Sequence, residues 1–113
     1  MKNVAYFKSI CYNIDMRYEI ELTKDAKKEF LELSTENKTL LIDDYKTIQE
    51  QGIEFVRTRP IEDKIFEIKT KNIRSLFIYR ENQIIIIGLI YIKKTQKMPN
   101  NIKKQANKRF KHV

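Results

Sequence analysis

The cationic side chains of this chain are concentrated at its C-terminal end. Residues 93–113 contain eight of the 23 Lys and Arg residues and none of the 15 Asp and Glu residues, so they supply the whole formal net charge of +8. A field of one sign at one end of a small domain attracts a polyanion, and RNA is the first candidate. Three more basic residues, Lys69, Lys71 and Arg74, lie within or between apolar runs. Lysine and arginine can hold phosphate oxygens and stabilise the charge that develops on them.

Other kinds of chemistry lack the residues that they need. One histidine, His112, and one cysteine, Cys11, cannot build a usual zinc site, and the sequence contains neither a glycine-rich phosphate loop nor a Ser/His/Asp arrangement. Adjacent helix positions such as Asp43 and Asp44 point in different directions, so no carboxylate cluster for a metal is predicted. An enzyme on nucleic acid would here work without a metal, through lysine and arginine.

Length and composition predict one globular domain inside the cell. The 113 residues are 42% hydrophobic and 34% charged, with two Gly and two Pro, which is typical of a compact fold. The single cysteine fits a reducing compartment, and the longest apolar run, Ile84–Ile92, is too short to span a membrane. A cytoplasmic location is therefore expected.

A second methionine, Met16, stands directly before the first patterned element. Residues 1–15 are therefore expected to be an N-terminal extension, and residues 16–113 the domain. The alternative is that the apolar side chains of residues 4–12 pack on the domain, and the sequence leaves both interpretations open.

Hydrophobic periodicity predicts an α+β fold of element order β-α-α-β-β-β-α, in which an antiparallel sheet carries an N-terminal helical hairpin and a C-terminal helix. Alternation over Arg17–Leu22 indicates the first strand. Thr23 can cap the first helix, Ser34 or Thr35 begins the second, and Gly52 ends it.

From residue 65 onwards the spacing of the apolar residues changes from a period of 3.6, typical of a helix, to a period of two, typical of a strand. Three runs, Ile65–Lys69, Ile73–Tyr79 and Ile84–Ile92, are separated by short polar breaks and predict antiparallel hairpins. The third run is apolar on both faces, which predicts the central strand, covered by helices on at least one side. Pro99 suits the first turn of a final helix with one apolar stripe.

Three segments carry a resemblance to a known family. They are Phe66–Lys69 (FEIK), Ile73–Tyr79 (IRSLFIY) and Tyr91–Pro99 (YIKKTQKMP). Together with the order of elements, they resemble the RelE/ParE toxin superfamily. The last motif, followed by Ile102 and Ala106, is most similar to the HigB-like, phage-derived branch of type II toxin–antitoxin systems. The resemblance covers roughly residues 17–111.

The resemblance implies a toxin that is a ribosome-dependent mRNA endonuclease, or mRNA interferase. Such an enzyme drives the ribose 2′-hydroxyl onto the adjacent phosphate and needs no metal or small-molecule cofactor. The implied partners are the ribosome, mRNA and a cognate helix-turn-helix antitoxin, with no membrane partner.

This reaction needs a base, cations around the phosphorane, and an acid. Lys69 or Lys71 is the expected base, because neighbouring positive charges favour the neutral amine. Arg74 is expected to be the main stabiliser of the transition state, since its fixed fork suits bidentate phosphate contact. Lys93 completes the catalytic group, and the four residues are expected to converge on one face of the sheet. The expected RNA-binding residues are Tyr91, Lys94, Gln96 and Lys97.

Structural explanations stand beside these roles. Lys69 and Lys71 flank a predicted turn, where lysine also protects strand edges. An ion pair with Glu67 would explain Arg74 without any catalysis. Tyr91 suits stacking on a base but also packing in the sheet.

The chain also departs from the family pattern. Lys69 stands where many relatives have Arg, Leu89 where a His is frequent in this branch, and Met98 where Thr usually precedes Pro. The missing histidine shifts proton transfer to lysine. Two alternative functions stay open, namely a ParE-like toxin that acts on DNA gyrase, and an inactive relic that binds RNA or antitoxin.

Overall fold

The computed structural model describes residues 17–81, 83–94 and 97–113. Residues 1–15, predicted as an N-terminal extension, lie outside the described residues. Within the described ranges the chain forms five strands, three α-helices and one 3₁₀ turn. In chain order these are β1 (Glu19–Leu22), α1 (Lys24–Leu31), α2 (Thr35–Gln51), the 3₁₀ turn (Ile53–Phe55), β2 (Arg57–Glu62), β3 (Ile65–Thr70), β4 (Ile73–Arg80), β5 (Ile84–Ile92) and α3 (Asn100–Phe110).

The five strands form one sheet in the order β1-β5-β4-β3-β2. Strands β2 to β5 are antiparallel neighbours, whereas β1 pairs with β5 in parallel. The predicted α+β fold is confirmed, and the sheet is mixed rather than wholly antiparallel. A parallel pair needs a long connection, which two helices and three strands supply here. The third predicted run, β5, is an interior strand next to β1, and β4 occupies the middle of the sheet.

Strand β2 is the element that the periodicity did not predict. Its sequence, RTRPIE, is mostly charged and contains Pro60. β2 lies at an edge of the sheet, where charged residues and proline are tolerated because one side of the strand makes no ladder hydrogen bonds. Edge strands of this kind bury too little apolar surface to show clear hydrophobic alternation.

The predicted helix boundaries are confirmed by their caps. The Thr23 hydroxyl accepts a hydrogen bond from the Ala26 N–H at 3.1 Å, and the Ser34 hydroxyl accepts one from the Asn37 N–H at 3.1 Å. Each cap satisfies one of the free N–H groups of the first helical turn. Gly52, with a φ of 126°, follows the end of α2.

The sheet has a core on each face. Consecutive residues of β4 belong to different core clusters, since Phe77 packs with residues of α1 and α2, and Leu76 packs with residues of α3. Alternate strand residues point to opposite faces, so α1 and α2 cover one face and α3 covers part of the other. β5 contributes to both clusters, with Ile87 on the first face and Leu89 on the second.

A bulge in β5 fastens the helices to the sheet. Leu76 pairs with Leu89 but Phe77 pairs with Ile87, which leaves Gly88 as the extra residue. The Gly88 carbonyl accepts a hydrogen bond from Arg109 of α3 at 2.9 Å, and Arg109 also donates to Glu29 of α1 at 3.0 Å. These contacts fix α1 and α3 against the middle of β5.

Candidate functional site

Basic side chains from three strands form one row across the α3 face of the sheet. Arg57 of β2 pairs with Lys69 of β3, Lys69 pairs with Arg74 of β4, and Arg74 pairs with Tyr91 of β5. Directly paired residues project their side chains on the same face. Arg74 shares that face with Leu76, which packs in the α3 core cluster. The cations therefore lie beside the core that α3 forms.

The turn between β3 and β4 brings the backbones of the other predicted lysines, Lys71 and Lys93, beside the middle of this row. Lys71 adopts a left-handed conformation with a φ of 55°. Its carbonyl accepts a hydrogen bond from Nη1 of Arg74. The next carbonyl, of Asn72, accepts the backbone N–H of Lys93 at 2.7 Å. Lys69 and Arg74 are thus cross-strand partners, and hydrogen bonds hold the backbones of Lys71 and Lys93 close to them. The convergence of all four side chains on one face, and their roles, stay predictions.

A buried carboxylate lies beside this row. Glu67 of β3 has no exposed surface. Its Oε1 accepts a hydrogen bond from Nε of Arg59 at 2.8 Å and lies 3.9 Å from Nε of Arg74. An ion pair of Arg74 with Glu67 is therefore present, although it is long. The shorter partner of Glu67 is Arg59, which belongs to the unpredicted strand β2.

Three polar atoms at this place are buried without a hydrogen-bond partner among the described residues: Oε2 of Glu67, Nε of Arg74 and the hydroxyl of Tyr91. Burial raises the pKa of the Tyr91 hydroxyl, and the charge of Glu67 raises it further, against the opposing effect of Arg74 and Arg59. Buried polar groups without partners each cost about 1–3 kcal/mol, so proteins keep them rarely. Polar groups without partners beside a cationic row are suited to contact a polar ligand.

The remaining predicted RNA-binding residues lie beyond the end of β5. Lys94 and Lys97 are exposed, and Gln96 lies outside the described residues. Leu89, at the position where a histidine was expected in relatives, is 1% exposed and packs in the α3 core cluster. An imidazole there would lie in an apolar core rather than on the cationic row.

Sequence reasoning missed Arg57 and Arg59 as site residues because it missed β2. Their spacing of two was the available signal, since residues i and i+2 of a strand share a face. Arg59 and Glu67 are direct cross-strand partners. The sequence alone suggests Glu67 as a partner of Arg74 and gives no reason to pair it with Arg59.

Two other surface features lie away from the row. A cavity of about 500 Å³ lies between the start of α1 and the end of α3, and its lining includes Lys24, Asp25 and His112. Tyr79, at the far end of β4, makes edge-to-face contacts with Phe66 and Phe77, with ring centroids 5.5 and 5.4 Å apart. Within the described ranges, no three His, Cys, Asp or Glu side chains are grouped to hold a metal ion, and no helix is long and apolar enough to cross a membrane.

The fold is that of a RelE-like protein. It is similar to a chain in the crystal structure of the archaeal RelE–RelB complex from Pyrococcus horikoshii OT3, with a TM-score of 0.59 and 12% sequence identity, over 69% of this chain and 97% of that chain. Residues 28–111 match the family of phage derived protein Gp49-like sequences (DUF891), and the chain belongs to that family. No curated protein sequence matches it. The predicted resemblance to RelE-like, phage-derived proteins is confirmed at this level.

Proposed function

We propose that this chain is the toxin of a type II toxin–antitoxin system and that it cleaves mRNA on the ribosome. Membership of the Gp49-like family and the RelE-like fold support the class of protein. The observation that carries the chemistry is the row Arg57, Lys69, Arg74 and Tyr91, in register across four strands. Such a row suits the phosphates of a single RNA strand, which carry one negative charge per nucleotide.

The proposed reaction needs only groups of this row, of the adjoining turn, and Lys93. Lys69 or Lys71 accepts the proton of the ribose 2′-hydroxyl, whose oxygen attacks the adjacent phosphorus. Arg74 stabilises the negative charge of the pentavalent phosphorane. The bond to the 5′-oxygen of the next nucleotide breaks, and that oxygen takes a proton from the protonated lysine or from Lys93. The products are a 2′,3′-cyclic phosphate and a 5′-hydroxyl end.

The exposed lysines Lys94 and Lys97 would hold flanking phosphates of mRNA or ribosomal RNA, together with Gln96. Tyr91 would contribute its ring to the RNA contact. This function requires translating ribosomes and hence the cytoplasm. The solved RelE–RelB complex supports a second partner, a cognate antitoxin, which the HigB-like resemblance suggests is a helix-turn-helix protein.

The test compares the full chain with Arg74→Ala under tightly controlled expression, with 5′-hydroxyl ends of mRNA mapped soon after induction. We expect codon-phased new ends with the wild type, and about 10²-fold fewer with Arg74→Ala, the loss typical for one transition-state donor. Arg80→Ala is the matched control, since Arg80 lies at the other end of β4 and pairs with Glu21 at 2.8 Å. It should leave the number of new ends unchanged.

The alternatives give different results. Growth arrest without new mRNA ends would favour a gyrase-directed toxin, and DNA damage signalling would then be measured. The absence of any arrest with the wild type would favour an inactive relic. Arrest and cleavage that survive Arg74→Ala would refute the role of Arg74.

A further inference from the structure

Arg59 presents a second guanidinium group at the candidate site. It comes from β2 and lies on the same face as Arg57, two residues earlier. Its Nε is bound to Glu67, and its terminal nitrogens make no hydrogen bond to other described residues. The Arg59 side chain is 40% exposed, whereas that of Arg74 is 13% exposed. A phosphate that approaches this face therefore meets the fork of Arg59 at least as readily as that of Arg74.

The guanidinium groups of Arg59 and Arg74 are neighbours, because both contact the same carboxylate oxygen of Glu67. Oε1 of Glu67 lies 2.8 Å from Nε of Arg59 and 3.9 Å from Nε of Arg74. Because both Nε atoms lie this close to the same oxygen, the two positive charges are close enough to repel each other unless an opposite charge lies between them. The buried carboxylate supplies that charge. It therefore fixes the distance between the two forks.

A phosphorane carries negative charge on oxygens that point in different directions. One fork can contact two of these oxygens, and a second fork from another side can neutralise the charge that remains. One terminal nitrogen of Arg74 is already used within the protein, since its Nη1 donates to the carbonyls of Lys71 and Ile73. The terminal nitrogens of Arg59 make no such hydrogen bonds to described residues.

The geometry points to Arg59 as a second catalytic residue, which contacts the same phosphate as Arg74, and to Glu67 as the positioning residue that holds both arginines. This inference rests on the proposed function and extends it to a strand that the family resemblance did not include.

The test uses the full chain, translating ribosomes for cleavage, and an oligoribonucleotide with a 2′-deoxy cleavage site for binding. Arg59→Ala should slow cleavage by about 10²-fold. Glu67→Gln should slow cleavage by about tenfold or more, yet bind the RNA as tightly as the wild type or more tightly, because it removes a negative charge from the site. A purely electrostatic role of Glu67 would instead predict faster or unchanged cleavage.

The matched controls are Arg80→Ala and Glu21→Gln, which alter a second arginine–glutamate pair with the same 2.8 Å separation. Both should cleave at the wild-type rate. Arg59→Ala leaves Glu67 buried with only its long contact to Arg74, which is expected to weaken folding. The double variant Arg59→Ala/Glu67→Gln removes that unpaired charge, so it should fold, as measured by circular dichroism and thermal unfolding, and still cleave slowly.

Wild-type cleavage by the folded double variant would overturn the inference, as would a loss of RNA binding by Glu67→Gln that matches its loss of rate. If the wild-type chain cleaves no RNA on ribosomes, the proposed function fails, and RNA binding alone then decides the inference. Loss of one phosphate contact lowers the salt dependence of single-strand binding by about 0.7 in slope. A smaller slope for Arg59→Ala than for Arg80→Ala supports the inference, and equal slopes overturn it.

Discussion

The close contact between Gly88 and Phe110 predicts the energetic effect of a single added methyl group. A Cβ atom at Gly88 would lie 2.6 Å from Cε1 and 2.8 Å from Cζ of the Phe110 ring. Real Cβ atoms do not approach so closely, so in Gly88→Ala the ring must move. Phe110 packs on the α3 core cluster, and its neighbour Arg109 binds the Gly88 carbonyl. Movement of the ring therefore disturbs the docking of α3.

The magnitude follows from two opposing effects. Overpacking of this kind costs about 1–3 kcal/mol. Replacing a glycine in a strand by alanine stabilises the fold by about 0.5–1 kcal/mol, because the unfolded chain loses conformational freedom. This gain applies at Gly88, since its φ is not positive and suits alanine. We expect Gly88→Ala to lower the free energy of unfolding by up to about 2.5 kcal/mol. Each kcal/mol corresponds to about 4 °C in melting temperature for a domain of this size.

The assay is urea unfolding of Gly88→Ala, Phe110→Ala and the double variant. Without the ring, the added methyl group has room, so Gly88→Ala should be neutral or stabilising in the Phe110→Ala background. The double-mutant cycle should therefore give a coupling energy of about 1 kcal/mol or more. Additive effects of the two substitutions would refute the contact, and with it the explanation of why this bulge holds a glycine.

Two further predictions concern Tyr91 and Arg109. Tyr91→Phe removes a buried hydroxyl without a partner, so thermal unfolding should show equal or higher stability, by up to about 1 kcal/mol. Burial and then the charge of Glu67 raise the pKa of the Tyr91 hydroxyl, so the unfolded chain loses this proton at a lower pH than the folded chain. The wild type should therefore lose stability as pH rises above the ordinary value of 10.0, and Tyr91→Phe should lose less. Arg109→Ala should lower the free energy of unfolding by about 1.5–3 kcal/mol in urea, because Glu29 and the Gly88 carbonyl lose a charged donor. The exposed neighbour substitution Lys108→Ala should change it by less than about 0.5 kcal/mol.

The predictable parts of the fold are those in which one strong local signal decides. The caps at Thr23 and Ser34 and the runs from Ile65 to Ile92 combine turn chemistry with a clear period, and the structure confirms them. β2 could not be predicted in this way, because an edge strand is stabilised by pairing with β3 rather than by burial of its own side chains. The parallel pairing of β1 could not be predicted from local sequence either, since its partner strand is more than sixty residues away in the chain.

The same distinction applies to the candidate site, where some residues can be predicted from local sequence and others depend on the register of the strands. Lys69 and Arg74 could be singled out, because a cation within an apolar strand is unusual. The place of Arg59 could not, since its nearness to Glu67 exists only once β2 and β3 are in register. The lack of partners for the Tyr91 hydroxyl and for Oε2 of Glu67 depends on packing at the scale of single atoms. Side-chain types alone do not determine such details.

Long-range attraction and local chemistry belong to different parts of this molecule. The basic segment that dominates the net charge includes α3, whose lysines Lys103, Lys104 and Lys108 are exposed and suited to attract a polyanion from a distance. The buried polar atoms without a hydrogen-bond partner instead include Oε2 of Glu67 on β3, Nε of Arg74 on β4 and the hydroxyl of Tyr91 on β5. Under the proposed function, charge composition locates the surface that would attract RNA, whereas strand register locates the atoms that would act on it. Substitution of the α3 lysines should accordingly change association with ribosomes, and substitution of Arg59, Glu67 or Arg74 should change the cleavage step.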